Sequence, residues 1–236
     1  MTTWTTAAEI PTGGVRLDAD LIIPADPDGV VLFAHGSGSS RTSPRNRAVA
    51  ETLNGRHLTT VLVDLLTAEE EQEDRSTAKL RFDIGRLADR LVGIVDWLGV
   101  NDGTRGLPIG LFGASTGAAA ALVAAAARPE AVWAVVSRGG RPDLAGPALV
   151  DVKAPTLFLV GERDEQVIEL NHQAHATMTA LAEVRIIPGA SHLFEEPGTL
   201  AQVAEEAATW FADHLTVPPE PAVEAPVAQS PDPGQV

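Results

Sequence analysis

The chain has 236 residues, of which 44% are apolar, a length and composition that suit one α/β domain with its own core. Its 17 basic and 32 acidic residues give a formal net charge of −15, which disfavours nucleic acid and anionic membranes as partners. Cysteine is absent, which excludes disulfides, thiolate metal sites and a cysteine nucleophile.

The N-terminus lacks the features of a targeting segment. Its first residues, MTTWTTAAE, contain neither a basic region nor a continuous apolar stretch. No segment approaches the roughly 20 apolar residues of a membrane span. We therefore expect a cytoplasmic protein without membrane contact.

Apolar runs and helical periodicities alternate from about residue 15 to residue 215. This pattern is typical of a parallel sheet covered by helices on both faces. It predicts a doubly wound α/β fold with a mostly parallel sheet of about seven strands, whose first strand could pair antiparallel at the edge. The predicted strands are 16–23, 30–34, 60–64, 109–112, 132–136, 156–160 and 184–187, and the predicted helices are 45–53, 77–98, 116–127, 166–182 and 200–215.

The sequence also predicts where the domain begins and ends. We expect an N-terminal extension at 1–14, one domain at 15–216 and a disordered proline-rich tail at 217–236. The acidic run at 69–74 is interpreted as a solvated loop. Only 18 residues, 137–154, separate two predicted strands where a lid domain could be inserted, so none is expected.

A candidate nucleophile follows the strand at 109–112. Residues 113–117 read GASTG and lead into an alanine-rich helix, so G-x-S-x-G has the strand–turn–helix context that exposes a nucleophilic serine. The alternative is an ordinary glycine-rich turn. We predict Ser115 as the nucleophile.

A serine hydroxyl needs a general base, and the base needs an orienting acid. Two later strands end in polar loops that contain Asp164 and His192, in the order serine, acid, histidine that this arrangement uses. Glu162 and Glu165 lie in the same turn as Asp164 and are alternatives for the acid.

A second glycine-containing loop follows the strand at 30–34. It reads HGSGSS from His35, a form that supplies an amide to an oxyanion hole. We predict that the backbone amides of Ser37 and Thr116 form the hole and that His35 and Gly36 contact substrate. A dinucleotide fingerprint is the alternative, but the third glycine is missing.

Four arginines lie in loops after two predicted strands, and loops at the carboxyl ends of strands form the rim of sites in such sheets. They are Arg41, Arg45, Arg138 and Arg141. Pairing with the many acidic residues is one interpretation. The other is that Arg41 and Arg138 bind an anionic group of the substrate.

Four segments resemble the dienelactone hydrolase-like branch of the α/β-hydrolases, and the resemblance extends over residues 15–215. They are HGSGSSRTSPRN at 35–46, GASTG at 113–117, SRGGRPD at 137–143 and PGASH at 188–192. The resemblance implies hydrolysis of an ester or lactone, and occurrence fused or adjacent to phosphoribosyltransferase domains in some bacteria. We expect no such domain within these residues. Because the namesake enzymes use a cysteine nucleophile, the dienelactone substrate is not transferred.

These features together predict a serine esterase that acts on a small ester or lactone through an acyl-enzyme. They imply neither a metal nor an organic cofactor. Thioester or amide cleavage and perhydrolysis would use the same residues. A non-catalytic binding module of the same fold is the alternative from another class.

Overall fold

A computed structural model describes residues 3–215, so the predicted tail at 217–236 lies outside the described residues. Its strands are β1 (Thr3–Thr12), β2 (Val15–Pro24), β3 (Gly29–Ala34), β4 (Leu58–Val63), β5 (Ile109–Ala114), β6 (Val132–Arg138), β7 (Thr156–Gly161) and β8 (Ala182–Ile187). They form one sheet in the order β1-β2-β4-β3-β5-β6-β7-β8. Strands β3 to β8 are mutually parallel, and β2 is antiparallel to both β1 and β4.

Helices cover both faces of the sheet, which confirms the predicted doubly wound fold. They are α1 (Pro44–Asn54), α2 (Ala68–Thr77), α3 (Ile84–Val100), α4 (Thr116–Ala127), α5 (Glu165–Thr177) and α6 (Thr199–His214), with 3-10 helices at Leu80–Phe82 and Pro142–Asp151. Apolar residues of α3, α4 and α5 form the core on one face, and those of α1 and α6 form the core on the other. Among residues 3–215, no helix combines the length and apolarity needed to cross a membrane.

All seven predicted strands are present, and an eighth forms from the segment that was predicted to be an extension. Residues 3–12 pair with β2 along their whole length, so β1 and not β2 is the edge strand. Ile10 is fully buried, and the buried Thr12 hydroxyl donates a hydrogen bond to the Arg90 carbonyl. The threonine-rich sequence has few apolar residues in alternation, which is why its periodicity gave no strand signal.

The acidic run is a helix and not the predicted solvated loop. Thr67 and Glu70 form a capping box at the start of α2, in which each side chain bonds to the backbone of the other residue. Near its end, the buried Asp74 carboxylate accepts hydrogen bonds from the backbone amides of Leu80 and Arg81. The predicted helix at 77–98 is therefore divided, and α3 begins only at Ile84.

The loops that follow the parallel strands meet at the carboxyl edge of the sheet, where sites of open α/β sheets lie. The connection from β6 to β7 contains the short 3-10 helix Pro142–Asp151. Within the described residues, no lid domain is inserted at this connection.

Candidate active site

Ser115 is the single residue between β5 and α4, and its backbone is strained. Its φ of 50° and ψ of −119° lie in a region that costs a non-glycine residue about 1–3 kcal/mol. Its amide donates to the carbonyl of Arg138 at 3.2 Å, and its carbonyl accepts from the amide of Arg141 at 3.1 Å. The end of β6 therefore helps to hold the serine in this conformation.

The glycines around Ser115 permit a close approach of strand, helix and loop. A β-carbon at Gly117 would lie 2.3 Å from the carbonyl oxygen of Ala34, and one at Gly113 would lie 2.4 Å from the α-carbon of Ala118. Both distances are shorter than any tolerated contact. The glycines of the predicted G-x-S-x-G turn are thus required by packing against β3 and α4.

The predicted acid and base are brought together. Asp164 follows β7, His192 follows β8, and 2.5 Å separates Nδ1 of His192 from Oδ2 of Asp164. With a neutral imidazole, Nδ1–H donates to the carboxylate, so Nε2 is left as the basic nitrogen. The Asp164 side chain is mostly buried and that of His192 is partly exposed.

The competing carboxylates do not share this arrangement. An oxygen of Glu162 accepts a hydrogen bond from the Gly189 amide at 2.7 Å, which ties together the loops after β7 and β8. Glu165 is the first residue of α5. Within residues 3–215, Asp164 is the only carboxylate that contacts His192.

His192 lies over the strand end that holds Ser115. A β-carbon at Gly139 would lie 3.5 Å from Nδ1 of His192 and 3.2 Å from its carbonyl oxygen. Gly139 directly follows Arg138, whose carbonyl binds the Ser115 amide. The three candidate catalytic residues lie at the carboxyl ends of β5, β7 and β8, and we call them the catalytic edge. Among residues 3–215, a hydrogen bond joins His192 to Asp164, whereas none joins His192 to Ser115.

The loop after β3 passes beside Ser115, with a β-carbon position at Gly36 only 3.1 Å from the β-carbon of the serine. His35 fixes this loop. Its Nε2 accepts from the Leu65 amide at 3.0 Å, which leaves the proton on Nδ1 for donation to the Gly36 carbonyl at 3.0 Å. Burial lowers the pKa of His35, so the ring is a neutral structural group.

The two backbone amides predicted to form an oxyanion hole belong to Ser37 and Thr116, the residues that follow Gly36 and Ser115. Thr116 is the first residue of α4, so its amide has no partner within the helix. Within the described part of the chain, neither this amide nor that of Ser37 donates a hydrogen bond. Both remain available for the oxygen of a bound carbonyl group.

A cavity of about 260 Å³ lies beside these two amides. One side is the loop from His35 to Ser40, and Thr116 lies at its end. The other side is formed largely by residues 68–82, which comprise α2 and the following 3-10 helix and which we call the α2 wall; it contributes Glu71, Asp74, Arg75 and Arg81. The predicted open site is therefore bounded by a short helical wall that the sequence interpretation missed.

Two of the four rim arginines are neutralised by carboxylates. Nη1 of Arg41 lies 2.5 Å from Asp64, whose other oxygen accepts from the Arg41 amide at 2.6 Å. Arg141 makes two hydrogen bonds to Asp143, at 2.7 and 2.8 Å. Arg41 and Arg141 thus already have carboxylate partners, with which a bound anion would compete, and the contact of Arg41 with substrate stays a prediction.

Arg138 differs from these two residues. It is 9% exposed, and within residues 3–215 its side chain makes no hydrogen bond or ion pair, with Nη1 fully buried. Burial and, secondarily, the charge of Arg45 lower the pKa of Arg138 to about 10. It stays charged at neutral pH and lacks a compensating anion among the described residues.

The eight-stranded sheet, the strained serine turn and the histidine–aspartate pair together define an α/β-hydrolase domain. A family model described as an alpha/beta hydrolase domain matches residues 27–216, and the chain belongs to this family. The structure of a dienelactone hydrolase from Anabaena variabilis is 57% identical in sequence, with a TM-score of 0.90 over 91% of this chain and all of the other.

More distant structures share the fold alone. Est1E from Butyrivibrio proteoclasticus is 17% identical, with a TM-score of 0.73 over 88% of this chain and 98% of that protein. Curated sequences from two strains of Mycobacterium tuberculosis, provisionally named as phosphoribosyl transferases, are 55% identical over 89% of this chain. The chain spans about half the length of these relatives, 46% of each.

Proposed function

We propose that the protein is a serine hydrolase that cleaves a carboxylic ester or lactone through an acyl-enzyme. The observation that carries this proposal is the 2.5 Å contact between His192 and Asp164 beside the strained Ser115. A histidine oriented in this way can take the proton of a serine hydroxyl, which otherwise is a weak nucleophile.

In the first half-reaction, Nε2 of His192 accepts the proton of Ser115 as Oγ attacks the carbonyl carbon. The carbonyl oxygen becomes an oxyanion and accepts hydrogen bonds from the amides of Ser37 and Thr116. The imidazolium, stabilised by Asp164, gives its proton to the leaving oxygen, and the C–O bond breaks. Ser115 is then acylated and the alcohol has left, or stays attached as a hydroxyl if the substrate is a lactone.

The second half-reaction repeats these steps with water. His192 removes a proton from a water molecule, whose oxygen attacks the acyl carbon. The imidazolium returns that proton to Oγ of Ser115 as the acyl bond breaks, and a carboxylic acid is released. Neutral imidazole is therefore required in both half-reactions.

Thioester or amide cleavage and perhydrolysis would use the same atoms, and the ester or lactone assignment is favoured by the resemblance of the four sequence segments. For the Mycobacterium tuberculosis relatives, we assign the phosphoribosyl transfer in their name to the half that this chain does not match. This assignment is supported by the candidate hydrolase site of this chain, which matches only the other half of those relatives.

Labelling with a fluorophosphonate tests the nucleophile directly. We expect Ser115→Ala to abolish labelling and to lower ester turnover by at least about 1,000-fold with an unchanged melting temperature. Ser76→Ala, at an exposed hydroxyl of α2, is the matched control and should behave like the unmodified protein. Labelling that persists in Ser115→Ala would overturn the proposal, and so would an unlabelled protein that hydrolyses no ester, which would favour the binding module.

A further inference from the structure

Arg138 is a buried cation whose partner is missing from the described residues. An unpaired guanidinium in the protein interior is strongly unfavourable, and buried charges are normally paired with an anion. The other three rim arginines, Arg41, Arg45 and Arg141, are partly exposed, and each still lies within 4 Å of a carboxylate. The geometry at Arg138 therefore requires a specific explanation.

A second positive group, Arg45, lies near enough for its charge to lower the pKa of Arg138. Arg45 lies in the first turn of α1, which contains no acidic residue, so the positive end of the helix dipole adds to its charge. Its only ion pair within residues 3–215 is a long contact of 3.4 Å with Glu195, which is largely exposed. The Nε atom of Arg45 is buried and, like Nη1 of Arg138, has no hydrogen-bond partner among the described residues.

Both arginines border the catalytic edge. The Arg138 carbonyl binds the amide of Ser115, and Arg45 binds Glu195, three residues after His192. Phe194, which precedes Glu195, lies near the end of β6, because its ring is 3.4 Å from a β-carbon position at Gly139, the residue after Arg138. Neither arginine lines the cavity beside the α2 wall. Arg138 follows Ala134 and Val136 in alternation along β6, and these two residues pack on the face of the sheet that α1 covers, where Arg45 lies.

We propose that Arg138 and Arg45 form an anion-binding subsite beside Ser115 that takes a carboxylate or phosphate-type group carried by the substrate. Two guanidinium groups offer several donors to the oxygens of one anion. The rest of the substrate then extends toward the cavity beside Ser37 and Thr116. The inference rests on the proposed hydrolase function, and it replaces Arg41 by Arg45 as the partner of Arg138.

Matched esters test the subsite. The mono-4-nitrophenyl ester of glutaric acid carries a carboxylate, 4-nitrophenyl 3-phosphonopropionate carries a phosphonate, and 4-nitrophenyl butyrate is the neutral reference. Arg138→Met and Arg45→Met should raise KM for an anionic ester by about tenfold or more, because a charge-assisted hydrogen bond is lost. KM for the neutral ester should change by no more than about twofold. The anionic ester with the lower KM in the unmodified protein shows whether the subsite prefers a carboxylate or a phosphonate group.

Two further variants control for the change in net charge and for the loss of the positive charge at position 138. Arg128→Met removes a cation that is paired with Asp96 away from the edge, so it controls for net charge and should leave both KM values unchanged. Arg138→Lys keeps the charge and should restore part of the affinity for the anionic ester. If Arg138→Met does not fold, Arg45→Met decides, since its side chain is 36% exposed. Equal changes in KM for anionic and neutral esters would overturn the proposal.

Failure of the hydrolase proposal is distinguishable from failure of the subsite. If no ester is hydrolysed, glutarate and inorganic phosphate still test the subsite through the melting temperature, because a ligand that binds only the folded state raises it. We expect a rise in the unmodified protein and in Arg128→Met, and a much smaller rise in Arg45→Met. An equal rise in all three proteins, or no rise in any, would contradict the subsite.

Discussion

The catalytic edge and the α2 wall are held in place differently, although the loop at 35–40 passes beside both. Ser115, Asp164 and His192 lie at strand ends, where the parallel sheet and backbone hydrogen bonds determine their positions. Residues 68–82 depend on side-chain ion pairs, of which Glu70 with Arg90 on α3 is one, at 2.5 Å. Changes at the edge should therefore affect turnover, whereas changes that break the ion pairs holding the wall should affect substrate binding and local stability.

The largest effect is expected at the acid of the catalytic edge. Asp164→Asn should lower kcat by about 100- to 10,000-fold, because the amide no longer stabilises the imidazolium or favours the correct tautomer. The melting temperature should change little, so the loss is catalytic. Glu162→Gln, in the same turn, is the control and should keep most of the activity. The reverse ranking in a steady-state assay would show that Glu162 is the acid.

A smaller effect is expected at His35, which connects the loop at 35–40 to Leu65, in the segment between β4 and α2. His35→Ala leaves the Leu65 amide without its acceptor, which costs about 1–3 kcal/mol, and releases the Gly36 carbonyl. We expect kcat to fall by about 10- to 100-fold as the Ser37 amide loses its fixed position. His172→Ala, at an exposed position on α5, should leave kcat and melting temperature unchanged. An unchanged kcat in His35→Ala would show that the loop is rigid without the imidazole.

The smallest effect on turnover is expected in the α2 wall. Asp74 binds Nε of Arg81 at 2.5 Å and two backbone amides, so Asp74→Asn should loosen the wall. We expect KM to rise by about two- to fivefold with kcat nearly unchanged, since only ground-state contacts are lost. Glu73→Gln, at an exposed carboxylate of the same helix, should leave KM unchanged. A fall in kcat with constant KM would place Asp74 in the catalytic apparatus instead.

The same carboxylate makes the wall sensitive to acid. Burial opposes ionisation of Asp74, but the Arg81 guanidinium and the two amides hold its pKa below the ordinary value. Its contribution to stability is thus complete above the ordinary pKa of about 3.9 and is lost as the pH falls through the lowered value. The protection of residues 68–82 against hydrogen exchange should decrease below about pH 4 in the unmodified protein. In Asp74→Asn, this protection should already be reduced at neutral pH.

Much of the fold could be predicted because its signals are local. The buried strands are continuous apolar runs, and α4 begins and ends where its alanine-rich sequence does. The spacing of Ser115, Asp164 and His192 was informative because each follows a strand whose carboxyl end must lie at the same edge. Their catalytic roles stay predictions.

The weaker predictions concern segments whose stability comes from distant partners. Polar β1 becomes a strand through pairing with β2, and acidic α2 becomes a helix through its cap and its contacts with Arg81 and Arg90. Neither partner is visible in the periodicity of the segment itself. Hydrogen bonds to β2 stabilise β1, and a cap and ion pairs stabilise α2, although neither segment buries a continuous apolar face.

The sequence by itself determined the class of fold, the order of the candidate catalytic residues and the glycines that a serine turn requires. It could not decide which arginine beside the site is compensated, because Arg41 and Arg138 both follow strands as polar loop residues. Only the tertiary structure places Asp64 against Arg41 and no carboxylate of residues 3–215 against Arg138. The reason is physical: the electrostatic environment of a charge depends on groups within a few ångströms in space, and these come from unrelated parts of the chain.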